Sequence, residues 1–349
     1  MKVAIVGAGF SGAYTARRLV TSGYCREKDI EVFDSSFLHS SCGITACAYG
    51  IDFITLREAV QNAQLGKVED YVLRKAEYLV FGTQKVKNLR ICTFNKRKFI
   101  RDCLQGIEVK NQEFSIDQIK NYDLVIDATA RRAILGLNRS KWRPLFCCQI
   151  RVGSEEDIFE DMYFEPVKGF GYKWVFPLNF KVAHVGMGIL GKSFDYSKDF
   201  ESQIPNVVKI YRENFEREYT SMGCRVICRC FGLIRASSPK YSMPIVVGNV
   251  AAVGESAGMI SSLTGGGCKE AIEGIEILID NVFDLEEYEK KLVEAFKWAD
   301  FEFEIIDSMA QGKKLSLKTI AKIRKNPERV GIRLSLLQMY RLGKEFLVF

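Results

Sequence analysis

The sequence predicts an α/β fold. Two separated stretches of chain build a parallel sheet with flanking helices, and an antiparallel-sheet unit is inserted between them. Three observations predict it. The chain opens on a strand, a glycine-rich turn, a helix and a second strand. The middle third carries aromatic and β-branched runs broken by Gly and Pro. Near Asn249 a short apolar strand and a glycine-rich helix start return. Parallel strands need a crossover, and a βαβ opening supplies one.

Size and composition bound what such a fold can do. A chain of 349 residues fits one large domain or two interleaved ones. With 47% apolar and 27% charged residues it can pack a core, which excludes a disordered chain. The net charge of +7 is spread without a Lys/Arg block, so no nucleic-acid partner is expected. A mild basic excess suits anionic ligands or an anionic membrane surface. Met1 is followed at once by the strand-like Val3-Ala4-Ile5-Val6, and no run of 18 apolar residues occurs. Neither a secretory signal nor a membrane span is expected. The eleven cysteines lack a small-scaffold spacing, which points to reduced thiols and a cytoplasmic location. His39 and His184 are the only histidines, a poor supply for a metal site or a Ser-His-Asp triad, and no metal is expected.

The elements follow in order. A strand over Lys2–Val6 meets Gly7-Ala8-Gly9-Phe10-Ser11-Gly12, a helix runs to about Thr21, and a strand over Ile30–Phe33 ends on Asp34. In this Rossmann-like unit Gly7 permits the tight turn, Gly9 lets a pyrophosphate approach the backbone, and Gly12 allows close helix–strand packing. The helix start offers N–H groups and partial positive charge to phosphates, and Asp34 can accept from a ribose diol. Leu124-Val125-Ile126 reads as a buried strand running into Asp127-Ala128-Thr129. From about Trp142 to Gly191, Lys173–Phe176 and Val182–Met187 read as antiparallel strands. Cys224, Cys228 and Cys230 read as incidental cysteines of a strand, because zinc sites favour C-x2-C pairs. Val250–Val253 is a buried strand leading into Gly254-Glu255-Ser256-Ala257-Gly258. Gly265-Gly266-Gly267 then opens a helix with its apolar face on Ala271, Ile275, Leu278, Ile279 and Val282. The expected organisation is a discontinuous nucleotide-binding domain (residues 1–140 and 232–300), an inserted antiparallel-sheet substrate domain (141–231) and a C-terminal helical region (301–349). From Val330 onward Leu334, Leu337, Met339 and Tyr340 mix with Arg333, Arg341 and Lys344. That tail can lie on a membrane surface or dock on its own domain.

Four segments resemble a known family. The run from Val253 to Gly274 is similar to the second FAD motif of para-hydroxybenzoate hydroxylase-like flavoproteins, with Glu255 where the family usually has Asp. The resemblance implies that the acid binds the ribityl chain and that the helix start after Gly265–Gly267 faces the flavin. Local capping by Glu255 is the plainer alternative. Tyr172-Lys173-Trp174-Val175-Phe176-Pro177, followed by Val185-Gly186-Met187-Gly188, resembles the YxWxFP…VGxG pattern of geranylgeranyl reductases. In that family the segment lines the substrate cavity. Tyr172, Trp174 and Phe176 alternate onto one strand face, an apolar wall for a prenyl chain or an ordinary sheet core. Ser41-Cys42-Gly43 matches the family's Cys-Gly near the flavin ring, which implies cofactor contact for Cys42 and Gly43 and a catalytic role for Cys42; a small buried thiol is the alternative. Asp127-Ala128-Thr129-Ala130 resembles the segment that closes over FAD, with Ala130 where the family usually has Gly. Lys96 or Arg97 stands near the family's basic residue.

The resemblance implies FAD as cofactor and reduction of isoprenoid C=C bonds in membrane lipids or related prenyl compounds. Cys42, Tyr172 or water would supply the proton. No second complete GxGxxG follows a strand, so electrons are expected from an external donor, NAD(P)H or a ferredoxin-like protein, and contact with the membrane would be peripheral. An FAD-dependent monooxygenase and an electron-transfer flavoprotein with a quinone or protein partner are the alternatives.

Overall fold

The computed structural model describes residues 1–35, 47–136, 140–167, 170–313 and 329. The strand Val3–Val6 is buried along its whole length, as a central parallel strand covered on both faces must be. It pairs in parallel with Ile30–Phe33 on one side and Leu124–Asp127 on the other. The sheet runs Val246–Val247, Val250–Ala252, Leu124–Asp127, Val3–Val6, Ile30–Phe33, Glu108–Lys110. Its one antiparallel pairing is the short Val246–Val247 edge strand against Val250–Ala252. The strand over Val250–Ala252 therefore completes a sheet begun at the other end of the chain.

Helices Phe10–Thr21 and Cys268–Asp280 pack against each other on this sheet. The expected apolar face is inside: Ala271, Ile275, Leu278, Ile279 and Val282 are all buried, together with Ala13 and Leu19. An Arg18–Glu276 pair ties the two helices with Nε–Oε1 and Nη2–Oε2 contacts of 2.8 Å each. Two parallel contacts of this kind fix geometry better than one.

The antiparallel sheet runs Arg225–Ala236, Arg143–Gly153, Val182–Leu190, Gly171–Pro177, Met162–Val167, Tyr78–Phe81, Gln84–Lys87. Its last two strands form a hairpin from the first third of the chain, and Tyr78–Phe81 joins Met162–Val167 in parallel. One face is covered by helix Asn206–Ser221, whose Val208, Phe215 and Tyr219 pack on Phe146, Cys148 and Ile150. The two-residue period of the strands sends Cys147, Trp174 and Phe176 to the opposite face. Cys228 and Cys230 lie on the strand Arg225–Ala236, as expected. A third sheet of Gly50–Asp52, Ile91–Phe94 and Val72–Arg74 stands beside the first. Among the described residues no helix is long and apolar enough to cross a membrane. The tail from Val330 lies outside the described residues.

Candidate functional site

The glycine turn is shaped by what surrounds it. Gly7 sits at φ +108°, and a Cβ there would stand 2.5 Å from the Ala128 carbonyl oxygen. Ala128 is thus the seat on which the turn rests, and its own N–H donates to the Val6 carbonyl. A Cβ on Gly12 would stand 1.9 Å from the Gly7 carbonyl oxygen, whereas a Cβ on Gly9 would meet nothing within 4 Å. The turn is closed towards the protein at Gly7 and Gly12 and clear at Gly9, a cradle that a side chain would fill. No side chain caps the helix start at Gly9, so its first N–H groups are left for an anion. Asp34 Oδ2 accepts from Ala8 N at 2.8 Å, which places the carboxylate at the turn. The Phe10 ring is buried, 5.8 Å from Phe94 and 5.2 Å from Phe99; its side chain serves the core.

The second motif arrives at the same place. Gly254 lies at φ +63°, and a Cβ on it would fall 2.1 Å from Ser11 Oγ. Strand Val250–Ala252 delivers it there through pairing with Leu124–Asp127. Glu255 Oε1 accepts from the backbone N of Arg235 at 2.7 Å, while Arg235 Nη2 donates to the carbonyls of Glu255 (3.0 Å) and Ser256 (2.8 Å). The local capping role therefore occupies one carboxylate oxygen. Burial raises the Glu255 carboxyl above its ordinary range and pulls the Arg235 guanidinium down to about 10. Arg235 is 1% exposed, and its Nε and Nη1 have no hydrogen-bond partner among the described residues.

Ala130 stands at φ +59°, the left-handed region that costs an alanine roughly 1–2 kcal/mol. The residue that departs from the family pattern thus sits where glycine is favoured. Ala130→Gly is expected to raise stability by about 0.5–1 kcal/mol after the added chain entropy is subtracted. Urea unfolding checks this; an unchanged or lowered midpoint contradicts it.

Next to the second motif lies a cavity of about 170 Å3. One wall is the sheet face with Tyr172, Trp174 and Phe176; the opposite wall is the turn Thr264–Gly267. The Tyr172 hydroxyl donates to the Thr264 carbonyl and joins the walls. Burial also pushes the phenol well above its ordinary range. The bond to Thr264 makes Tyr172 a positioning group for the cavity wall in this structure. Trp174 Nε1 donates to Gln149 Oε1 at 3.3 Å, and Gln149 Nε2 donates to the Cys47 carbonyl at 3.1 Å. Pro177 stands outside the lining: its carbonyl accepts from Thr93 Oγ1 at 2.6 Å. Cys42 and Gly43 lie outside the described residues.

The structure adds two cysteines and brings Lys96 to one of them. Cys47 and Cys268 both line the cavity. Of the two basic residues left open, Lys96 is the one that reaches a cavity-lining side chain: its Nζ lies 3.3 Å from Cys47 Sγ and 5.6 Å above the Phe10 ring centroid. A hydrogen bond from the Cys268 thiol, aided by the Lys96 charge, holds the Cys47 thiol well below its ordinary value against the opposing effect of burial. Cys268 is pushed up correspondingly. Burial works against the Lys96 charge, but the two sulfurs outweigh it and its pKa is raised. No spacing announces this group; Cys268 lies within the second glycine motif and Lys96 stands beside Arg97 near the family's basic residue, but nothing in the sequence links either to Cys47.

Behind the turn, Glu270 is 5% exposed in the first turn of helix Cys268–Asp280. Burial raises it to about 7 from an ordinary 4.5. A folded-state pKa above the unfolded one means that the folded chain holds a proton the unfolded chain has lost. Stability therefore falls as pH rises from about 4.5 to 7 and then levels. Glu270→Gln is expected to gain about 3 kcal/mol over the parent above pH 7 and little below pH 4.5. Equal unfolding differences at both ends of the pH range would contradict this.

No protein-family model and no curated protein sequence matches the chain. Its fold does match solved structures. A geranylgeranyl bacteriochlorophyll reductase-like protein of Thermoplasma acidophilum superposes with a TM-score of 0.65 at 16% identity, covering 99% of this chain and 96% of that one. A flavin-dependent brominase superposes at 0.62 and 10% identity, covering 99% and 94%. A Pseudomonas aeruginosa protein described as a probable FAD-dependent monooxygenase superposes at 0.57 and 13% identity, covering 89% and 96%. The chain has the fold that these proteins share.

Proposed function

We propose that the chain is an FAD-dependent oxidoreductase that reduces carbon–carbon double bonds of isoprenoid chains, as its resemblance to geranylgeranyl reductases implies. The observation that carries this reading is the meeting of the two glycine motifs at Ser11 and Gly254, beside a cavity walled by Tyr172, Trp174 and Phe176. The clear space at Gly9 fits a pyrophosphate. Gly7, Gly9 and the backbone of Phe10, Ser11 and Gly12 would hold it. Asp34 would meet the adenosine ribose. Gly254 and Glu255 would meet the ribityl chain, and Gly265–Gly267 the ring. FAD, when bound, supplies a hydride equivalent; an external donor, NAD(P)H or a ferredoxin-like protein, would replenish it.

The chain's own part is alignment and exclusion of water. Tyr172, Trp174 and Phe176 offer an apolar face to an unactivated alkene, which has little else to orient it. The cavity is smaller than the roughly 300–1,000 Å3 of common small-molecule sites, so it would admit the reacting unit of a prenyl chain and leave the rest outside. Tyr172 holds the wall to the glycine turn. Cys42, Tyr172 or a water would deliver the proton to the second carbon.

Absorption of the purified protein tests cofactor binding, and colourless protein that rejects added FAD would end the proposal. Anaerobic reduction followed by a geranylgeranyl lipid tests the reaction: flavin reoxidation and a product heavier by two hydrogens are expected. The likeness to the Pseudomonas protein favours a second reading, an FAD-dependent monooxygenase. That reading requires NADPH-driven oxygen uptake and an oxygen atom in the product. Trp174→Ala is expected to change substrate use at least about tenfold while FAD stays bound, the scale of a lost aromatic contact of about 1.4 kcal/mol. Loss of FAD from that variant would remove Trp174 from the substrate wall.

A further inference from the structure

We propose that Cys47 and Cys268 form a peroxide-reactive dithiol on the cavity wall, with Cys47 as the attacking sulfur and Cys268 as the resolving one. Three features place them in these roles. Both cysteines are free and partly exposed as residues, and both line one cavity, which a small oxidant can enter. Lys96 Nζ stands 3.3 Å from Cys47 Sγ, an ammonium beside the sulfur that must carry negative charge. Cys268 is the first residue of the 13-residue helix Cys268–Asp280 and lines the same cavity as Cys47, where the two thiols act on each other's protonation in opposite directions. The charged and titratable groups acting on the pair are Lys96, Tyr49 and Glu270, with Cys47 and Cys268 acting on each other. Lys96 is the positive one and is held in its charged form.

The contrast with other thiols of the chain supports the choice. Burial pushes Cys25 up to about 11 and Cys92 and Cys148 up to about 12. Cys47 is held in the opposite direction, and the thiolate is the form that attacks.

The reaction balances with hydrogen peroxide as oxidant. Cys47 thiolate attacks one peroxide oxygen, the O–O bond breaks, and the leaving hydroxide takes a solvent proton. Cys47 becomes a sulfenic acid. Cys268 sulfur then attacks Cys47 sulfur, the S–O bond breaks, and the second hydroxide leaves with the Cys268 proton as water. Two thiols lose two electrons and one peroxide becomes two waters. A dithiol reductant reverses the disulfide by exchange. The inference rests on residues 47, 96 and 268 alone and stands whether or not the cavity belongs to a prenyl reductase.

The test uses the full chain as purified, treated with hydrogen peroxide at pH 7 and mapped by mass spectrometry. Loss of two thiols, a linked Cys47–Cys268 peptide pair and recovery with dithiothreitol are expected. In Cys268→Ser, oxidation is expected to stop at Cys47 as a dimedone-reactive sulfenic acid. In Lys96→Gln the rate at Cys47 is expected to fall at least about tenfold, as the thiol returns towards its ordinary value near 8.5, with circular dichroism unchanged. Should that variant fail to fold, the parent decides alone. Iodoacetamide at pH 6 is expected to label Cys47 at least about tenfold faster than an ordinary thiol. Labelling of Cys47 no faster than of the unfolded chain, or peroxide oxidation that never links 47 to 268, would overturn the proposal.

Discussion

Gly9→Val is expected to give a folded protein that no longer retains FAD. The backbone at Gly9 has φ −70°, which any residue adopts, and a Cβ there meets no protein atom within 4 Å. The substitution should cost the fold no more than about 1 kcal/mol, the scale of losing a favourable helix N-cap. Its side chain would occupy the space assigned to the pyrophosphate and weaken FAD binding by at least about 100-fold, or about 2.7 kcal/mol. Flavin absorbance per chain after gel filtration, read beside the unfolding midpoint, checks both halves. Parental flavin content in a folded variant would refute the assignment of the turn. Gly12→Val is the opposite control, because its Cβ would fall 1.9 Å from the Gly7 carbonyl oxygen and the fold itself should fail.

Arg235→Met is expected to destabilise the chain by about 3 kcal/mol, the lower end of the cost of breaking a buried charged network. Arg235 is buried and donates to two carbonyls of the Gly254–Ala257 turn and to Ser242 Oγ at 3.3 Å. Methionine fills much of the volume but leaves those acceptors unpaired, each a further cost. The turn carries Gly254 against Ser11, so FAD retention should fall with stability. Urea unfolding of the nucleotide-free protein separates the two effects; a parental midpoint would show that the guanidinium does not hold the turn.

The legible parts of this molecule were those governed by local rules. Strand Ile30–Phe33 and the helix ending at Thr21 follow from apolar period and glycine placement; the strand has the expected bounds, and the helix already begins at Phe10, inside the glycine turn. The reversion to a parallel strand at Val250 was readable because Val250-Ala251-Ala252 has no polar residue to turn outward. The hairpin Tyr78–Lys87 was not read as part of the antiparallel sheet. Its strands are four residues each, and nothing local tells a short strand which sheet it will join. Asp34 was legible as an acid at a strand end, but its bond to Ala8 N was not. Pro177 was grouped with Tyr172, Trp174 and Phe176 by motif, yet odd and even strand positions face opposite ways. The Cys47–Lys96–Cys268 grouping was not legible for a plainer reason: three residues far apart in the chain share no period, and only the folded topology brings Lys96 to Cys47 and Cys47 and Cys268 to one cavity.

The parallel sheet has a consequence for how the protein is made. Its order places Val250–Ala252 directly against Leu124–Asp127. A chain growing on a ribosome can pair Val3–Val6 with its two neighbours early, but that third strand's outer edge stays bare until residue 252 has emerged. Through that interval an apolar strand with unpaired N–H and C=O groups is available to the wrong partner. Closure also waits on contacts of very long sequence separation, which slow assembly. Fragments that stop before Val250 should therefore aggregate where the complete chain does not, and expression should depend on holding the half-built sheet apart from its copies until the last strand arrives.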